Sequence, residues 1–173
     1  MKKFFSMIAM ALALTWGFTA CDVETDEEPG GTAIQDMCGY WDVVYDGIDE
    51  NGEVVYEDPY SAGTRTVYTF NTSSNSTTQM WLSDQNTFWA YQFLVNIDPV
   101  AQTFSCDSVD YDAAGSGKAL VANGKILKDA AKNEHGLPTD SIVFEIVFND
   151  DSYAGVYWAR LRASGRKHSG FTE

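Results

Sequence analysis

The stretch from residue 87 to residue 97, Thr-Phe-Trp-Ala-Tyr-Gln-Phe-Leu-Val-Asn-Ile, decides the fold class. One set of alternate positions is almost entirely apolar or aromatic: Thr87, Trp89, Tyr91, Phe93, Val95 and Ile97. Most positions between them are small or polar, with Phe88 and Leu94 as the exceptions. Because successive side chains of a β-strand point to opposite faces, this period of two predicts a strand with one buried face.

The same alternation recurs along the chain, most clearly where one face takes Ile142, Phe144, Ile146 and Phe148 and the other takes polar residues such as Ser141, Glu145 and Asn149. Nine strands are predicted, at about 39–46, 53–57, 65–72, 78–83, 87–97, 102–109, 118–128, 141–149 and 153–163. Turn residues such as Asn51-Gly52 and Asp98-Pro99 separate several of them. One helical turn is expected within 129–139. Short strands joined by short turns indicate an all-β protein, an antiparallel meander of about eight strands closed as a barrel or packed as a sandwich.

The inward faces of two predicted strands carry the first candidate binding residues. They are Trp89, Tyr91, Phe93, Phe144 and Phe148. An eight-stranded barrel is wide enough to hold one small ligand, and an apolar wall of this kind suits a lipid chain. The alternative is that these rings simply fill the core, since large aromatic side chains pack β interiors well.

The N-terminal residues have the pattern of an export signal. Lys2 and Lys3 precede an uncharged, largely apolar run that ends in Thr19-Ala20-Cys21. Small residues directly before a cysteine resemble a bacterial lipobox, which predicts lipid attachment at Cys21. We therefore expect a signal peptide at 1–20, an acidic flexible tether at 21–33 and a single β-barrel domain at 34–173, anchored by lipid to the bacterial outer membrane, on its periplasmic or its outer surface.

The net charge limits the classes of binding partner, and the cysteine content limits the possible disulfides. The 25 acidic residues outnumber the 11 Lys and Arg residues, for a formal net charge of −14. Nucleic-acid binding needs a basic surface, so we expect no nucleic-acid partner and membrane contact through the lipid anchor only. Cys38 and Cys106 remain as a pair that forms a disulfide or stays as two free thiols.

Catalytic and metal-binding patterns are weak. The chain has no Gly-x-Ser-x-Gly segment, and neither His135 nor His168 lies in a recognisable catalytic or metal-ligand spacing. We assign no catalytic residue, no metal and no cofactor, and the sequence leans against an enzyme.

Gly39-Tyr40-Trp41 resembles the opening of lipocalin-like (calycin) barrels, in which a Gly-x-Trp begins the first strand. The resemblance implies that Trp41 closes one end of the barrel and that a cation from the last strand covers its ring, with Arg160 or Arg162 as candidates.

A larger part of the chain resembles a family of bacterial lipoproteins described as lipid-binding putative hydrolases. The similar features include Gln79-Met80-Trp81-Leu82-Ser83-Asp84, Phe88-Trp89, Gly124-Lys125-Ile126, Asp140-Ser141-Ile142 and Asp150-Asp151. The resemblance implies an envelope β-barrel that binds a small apolar or lipid-like ligand. Two alternatives stay open: a hydrolase acting on a lipid or ester, and a surface accessory protein that binds a partner or a glycan.

Overall fold

A computed structural model describes residues 31–112 and 115–170. The predicted signal peptide, the lipidation site Cys21 and most of the predicted tether lie outside these residues. The structure of the described residues is a single turn of 3-10 helix, Gln35–Met37, followed by nine strands. The strands are β1 (Gly39–Ile48), β2 (Val54–Tyr56), β3 (Arg65–Asn71), β4 (Gln79–Ser83), β5 (Gln92–Asp98), β6 (Thr103–Asp110), β7 (Lys118–Lys132), β8 (Pro138–Phe148) and β9 (Arg160–Lys167).

The strands form an eight-stranded antiparallel barrel. From β3 to β9 each strand pairs with the next, β3 pairs with β1, and β9 returns to pair with β1 over Trp41–Ile48. The short strand β2 pairs with the end of β1, at Gly47 and Ile48, and lies outside the closed sheet. The all-β antiparallel architecture predicted from the alternation is confirmed, and so is the lipocalin-like barrel that the Gly-x-Trp resemblance implied.

Alternating strand direction gives the barrel two ends with different loops. We call the end at which β1 begins the lower end; it carries 31–38, 72–78, 99–102 and 133–137. The opposite, upper end carries 57–64, 84–91 and 149–159. One hydrophobic core runs between them, and along β8 it takes every second residue: Ile142, Phe144, Ile146 and Phe148.

Three predicted elements are wrong: the starts of two strands and the type of one connecting segment. The strand expected over 87–97 begins only at Gln92, because residues 84–91 form a loop around a buried aspartate. The helical turn expected within 129–139 is a β-hairpin, in which the Asn133 amide donates to the Leu137 carbonyl over 2.9 Å. The strand expected over 153–163 begins at Arg160, after a loop rich in aromatic residues.

Trp41 lies at the lower end and is completely buried. Its indole N–H donates to the Thr69 hydroxyl over 2.9 Å, and that hydroxyl donates to the Met37 carbonyl over 2.7 Å. Gly39 is required beside it, since a Cβ at this position would lie 2.9 Å from the indole ring. The buried polar edge of the tryptophan is thus satisfied by the chain that crosses the barrel end.

The cation that covers Trp41 is Lys167, whose Nζ lies 5.6 Å from the ring centroid; the prediction of Arg160 or Arg162 is wrong. Strand register explains the difference, because Lys167 lies directly opposite Trp41 whereas Arg160 lies opposite Ile48. Seven residues along β1 separate Ile48 from Trp41, roughly 24 Å at about 3.4 Å per residue.

Arg160 and Arg162 face outward, because the residues between and after them, Leu161 and Ala163, are buried. Arg160 Nε lies 2.8 Å from Glu145 Oε2, and Arg162 donates to the Gly52 carbonyl over 3.1 Å. Both arginines therefore brace the outer face of the sheet near the upper end.

Cys38 and Cys106 are both free thiols, which contradicts the disulfide alternative. Cys38 comes just before β1, and its sulfur lies 3.9 Å from the Thr32 hydroxyl oxygen. Cys106 lies on β6, four strands from β1 in either direction around the barrel, so the two belong to opposite walls. Burial raises the pKa of the Cys106 thiol.

Candidate ligand site at the upper end

Four of the five residues predicted to line a ligand cavity lie together at the upper end, whereas Phe144 packs deeper in the barrel on Phe104, with ring centroids 5.7 Å apart. Tyr91, Phe93, Phe144 and Phe148 are buried, and Trp89 is half-buried. Trp89 stacks on Phe148 with ring centroids 4.7 Å apart, and Tyr91 lies 5.4 Å from Phe93 and 5.7 Å from Phe148. The rings of Trp89, Tyr91, Phe93 and Phe148 pack against one another, and the role of the five residues in ligand binding stays a prediction.

A pair of buried tyrosines joins opposite walls at this level. The hydroxyl oxygens of Tyr45 on β1 and Tyr91 beside β5 lie 2.9 Å apart, at hydrogen-bond distance. Burial raises the pKa of both phenols, and the nearby carboxylate of Asp84 raises it further. Because β1 and β5 lie three strands apart, the contact crosses the interior, and a ligand at this depth would have to displace it.

The loop 84–91 is built around the carboxylate of Asp84, which is fully buried. It accepts five backbone N–H groups, from Asn86, Phe88, Trp89, Ala90 and Tyr91, at 2.6–3.0 Å. These bonds compensate the cost of burying the charge. The loop also places Gln85, Asn86 and Ala90 in the left-handed region, which explains why the regular strand cannot start before Gln92.

A second carboxylate, Asp151, organises the loop 149–159 and is 8% exposed. One of its oxygens accepts the Tyr60 hydroxyl over 2.7 Å and the Tyr153 amide over 2.9 Å. The other accepts the indole N–H of Trp158 over 3.2 Å. Burial and the hydrogen bond to Asp151 raise the pKa of Tyr60. The carboxylate therefore fixes aromatic side chains from two loops.

The adjacent Asp150 joins this loop to loop 84–91. Its carboxylate accepts the indole N–H of Trp89 over 3.0 Å. Burial and Asp150 together raise the pKa of Tyr111 to about 12, and the Tyr111 ring meets Phe148 edge-on at 5.5 Å. The upper loops thus share one aromatic layer that is held from within by carboxylates.

These contacts leave a cleft of about 430 Å³ at the upper end, which we call the aromatic cleft. Its lining consists of Tyr56, Pro59, Tyr60, Tyr153, Tyr157 and Trp158. Tyr56, Tyr153 and Tyr157 are 45%, 49% and 54% exposed, so their rings are available to a ligand from solvent. The structure brings them together from β2 and from two loops that are distant in sequence.

Sequence reasoning missed the aromatic cleft because it treated 153–163 as a strand. The signal present in the chain is the density of rings in a loop, Tyr153, Tyr157 and Trp158, directly after Asp150-Asp151. A smaller pocket of about 250 Å³ adjoins the cleft, shares Tyr157 and Trp158 with it and is lined on its other side by Asp49, Glu50, Val55 and Val156 among others.

A separate groove of about 710 Å³ runs over the outer face of β1, β8 and β9 near the lower end. In it His168 Nδ1 lies 2.9 Å from Asp42 Oδ2, and the imidazole packs on Tyr40 with ring centroids 4.2 Å apart. Ser141 and Ser164 line the same groove. His135, the other histidine, is exposed in the hairpin between β7 and β8.

Within residues 31–112 and 115–170, no group of three or more His, Cys, Asp or Glu side chains is arranged to hold a metal ion. In the same part of the chain, no helix is both long enough and apolar enough to span a membrane.

The closed antiparallel barrel with an aromatic opening defines a lipocalin-like β-barrel protein. A family model described as "Lipid-binding putative hydrolase" matches residues 26–172, and the chain belongs to that family. No curated protein matches the chain. The protein is therefore a β-barrel of a lipid-binding family.

Proposed function

We propose that this protein binds a small apolar, lipid-like ligand and that the aromatic cleft at the upper end is its binding site. The observation that carries the proposal is the cleft itself, a volume of about 430 Å³ lined by five aromatic residues and a proline. Ligand sites are typically concave and rich in aromatic side chains. A lipid-binding family supports the apolar character of the ligand.

The cleft is a better candidate than the barrel interior because of how each is packed. In the interior, Tyr91 contacts Tyr45, Phe93 and Phe148, so little can enter without moving buried rings. In the cleft, three tyrosines expose about half of their surface although they lie beside one another. Contiguous exposed apolar surface of this kind usually marks an interaction site.

We also propose that the protein is anchored in the bacterial outer membrane by lipid attached to Cys21. The basis is the order of Lys2-Lys3, the apolar run and Thr19-Ala20-Cys21. Two or more acyl chains give stable anchoring. Cys21→Ala should move the protein from the detergent phase to the aqueous phase on phase separation, and unchanged partitioning would contradict the anchor.

Binding of an apolar fluorescent probe to the full chain tests the site. Tyr153→Ser combined with Tyr157→Ser removes two exposed walls of the cleft and should weaken binding about tenfold or more, which corresponds to about 1.4 kcal/mol. Val100→Ser is the matched control, since Val100 is 94% exposed in a lower-end loop. Unchanged affinity in the double variant would indicate that the probe binds in the interior, and the assignment of the cleft as the binding site would be wrong.

The pair formed by Asp42 and His168 favours hydrolysis of an ester as a second candidate function. A carboxylate that hydrogen-bonds one nitrogen of an imidazole orients it as a general base, and Ser141, which lies opposite Arg166 in the same groove, would be the nucleophile. Ester turnover that disappears in His168→Ala and persists in His135→Ala would support this function. No turnover by the parent protein on short- and long-chain esters would remove it.

A further inference from the structure

We propose that the aromatic cleft recognises an organic cation, the substituted ammonium head of an amphiphile. This inference rests on the proposed function and narrows its ligand class. Two independent features carry it, the arrangement of the rings and the charge of the surrounding residues. A cation placed over an aromatic face is attracted by the ring quadrupole, and the attraction grows when the cation is shielded from water.

Several rings of the cleft stand at steep angles to one another, whereas Tyr153 and Tyr157 are tilted by 41° and 40° against Trp158. Trp158 lies at the base, 7% exposed, and Tyr60 meets it at 78° with ring centroids 5.6 Å apart. Tyr56 meets Trp158 at 67° and 5.8 Å, and Tyr157 at 89° and 6.1 Å. Rings in this arrangement present faces from several directions to one bound group, which suits a compact, roughly spherical ammonium group.

Hydrogen bonds to Asp151 strengthen the negative potential of two of these rings. The Tyr60 hydroxyl and the Trp158 N–H both donate to the Asp151 carboxylate. A donor group that points toward a carboxylate makes its ring more electron-rich, and the carboxylate adds its own field below the cleft. Asp151 thus acts on a bound cation through the rings it orients, without touching it.

The lining of the cleft contains no charged side chain, and the acidic residues lie beside it. Asp49 and Glu50 line the adjoining pocket. Hydrogen bonds from the backbone amide of Glu53 and from Asn51 lower the pKa of Asp49, so it is ionised at neutral pH. A cation is attracted by this field, whereas an anionic headgroup is repelled.

The two arginines of β9 near this end of the barrel are already engaged on the outer face. Arg160 lies 2.8 Å from Glu145 and 3.9 Å from Glu50, and Arg162 donates to the Gly52 carbonyl. Apolar surface for a hydrocarbon chain lies beside the cleft, at Val55 and Val156, which are 46% and 70% exposed. A headgroup in the cleft and a chain along these valines would use both features.

Isothermal titration of the full chain with choline and with its uncharged isostere, in which a tert-butyl group replaces the trimethylammonium group, tests the proposal. Choline should bind about tenfold more tightly than the isostere, because only the cation gains from the ring faces and the carboxylates. Equal affinity for the two probes would overturn the proposal.

Variants of exposed rings locate the effect. Tyr157→Leu keeps the apolar contact and removes the ring, so choline binding should weaken about fivefold while binding of the isostere changes little. Tyr157→Phe retains the ring and should bind choline as the parent does. Tyr56→Leu is a second variant, since Tyr56 is also largely exposed. Equal losses for both probes, or no loss in either leucine variant, would contradict a cation site.

The outcomes separate this inference from the proposed function. In one outcome, the apolar probe binds the parent protein, its binding is lost in the Tyr153 and Tyr157 double variant, and choline binds no more tightly than its isostere. The proposed binding of an apolar ligand at the cleft is then supported, and the proposed recognition of a cation is wrong. If neither the apolar probe nor choline binds at the cleft, both proposals are wrong.

Discussion

The lower end of the barrel is covered by apolar side chains from one short segment, whereas the upper end is covered by loops that buried carboxylates hold in place. At the lower end, Ile34, Met37 and Trp41 are at most 1% exposed and one cation covers the indole. At the upper end, Asp84 and Asp151 accept hydrogen bonds from residues of loops 57–64, 84–91 and 149–159.

The difference shows how a small barrel separates stability from binding. Apolar side chains that close a barrel end stabilise the fold because their surface is removed from water. Exposing one of these rings would lose that stabilisation. A loop held by a carboxylate keeps its shape through polar contacts, so it can leave tyrosines at the surface. The end stabilised by carboxylates is therefore the one that can present an aromatic cleft.

The largest effect should come from Asp84→Ala, which removes the acceptor of five backbone N–H groups. We expect a loss of about 5 kcal/mol in the free energy of unfolding, because buried donors are left without partners. Urea unfolding followed by tryptophan fluorescence measures it. Asp98→Ala is the control, since Asp98 organises an exposed turn at the lower end. A loss below about 1 kcal/mol for Asp84→Ala would show that the upper loops keep their conformation without the Asp84 carboxylate.

Trp41→Ala tests the lower end in the same way. Removal of a fully buried tryptophan should cost about 3–5 kcal/mol. Trp81→Ala is the matched control, because Trp81 is only partly buried on the outward side of β4 and should cost clearly less. If both variants lose the same free energy of unfolding, Trp41 contributes no more to stability than a partly buried tryptophan on the outer face, and closure of the lower end by Trp41 is wrong.

High pH should act on the upper end first. The pKa values of Tyr45 and Tyr91 are raised in the folded protein, so both phenols ionise in the unfolded chain at lower pH than in the native state. Their stabilising contribution is complete below the ordinary tyrosine pKa near 10, and above it stability falls by about 1.4 kcal/mol per pH unit for each group.

Unfolding midpoints in urea between pH 8 and pH 11 (roughly the range that brackets the ordinary tyrosine pKa) measure this loss. Tyr45→Phe together with Tyr91→Phe should reduce the slope of the pH dependence, and the slope that remains is expected from Tyr60 and Tyr111, whose pKa values are also raised. A double variant with the same slope as the parent would assign the alkaline sensitivity to other groups.

The smallest effect should come from Lys167→Met, which removes the charge above Trp41 and keeps an apolar chain of similar length. We expect about 0.5–1 kcal/mol, the range of a partly exposed cation–π contact. Arg162→Met should leave the environment of Trp41 unchanged in its fluorescence spectrum. A spectral shift in Arg162→Met and none in Lys167→Met would contradict the register of β1 and β9.

The alternation of apolar residues was enough to predict most of the strands and their buried faces, because burial of one face of a strand requires a period of two whichever strands are its neighbours. Along β8, for example, Phe144 and Phe148 were expected to point inward, and both are buried. The Gly-x-Trp pattern likewise depends on a local steric fit, in which Gly39 makes room for the indole two residues later.

Contacts between distant residues could not be read from the chain. Which cation covers Trp41 depends on the register of β1 against β9, which places Lys167 opposite Trp41 and Arg162 opposite Asp46, five residues further along β1. The loop around Asp84 depends on a buried carboxylate overriding an alternation that continues through Trp89. The aromatic cleft exists because the closed barrel brings Tyr56 and Tyr60 to the same end as Trp158, which lies more than 90 residues further along the chain. Asp151 then joins Tyr60 to Trp158. The alternation of apolar residues indicates which side of a strand is buried, but only closure of the sheet decides which loops come into contact.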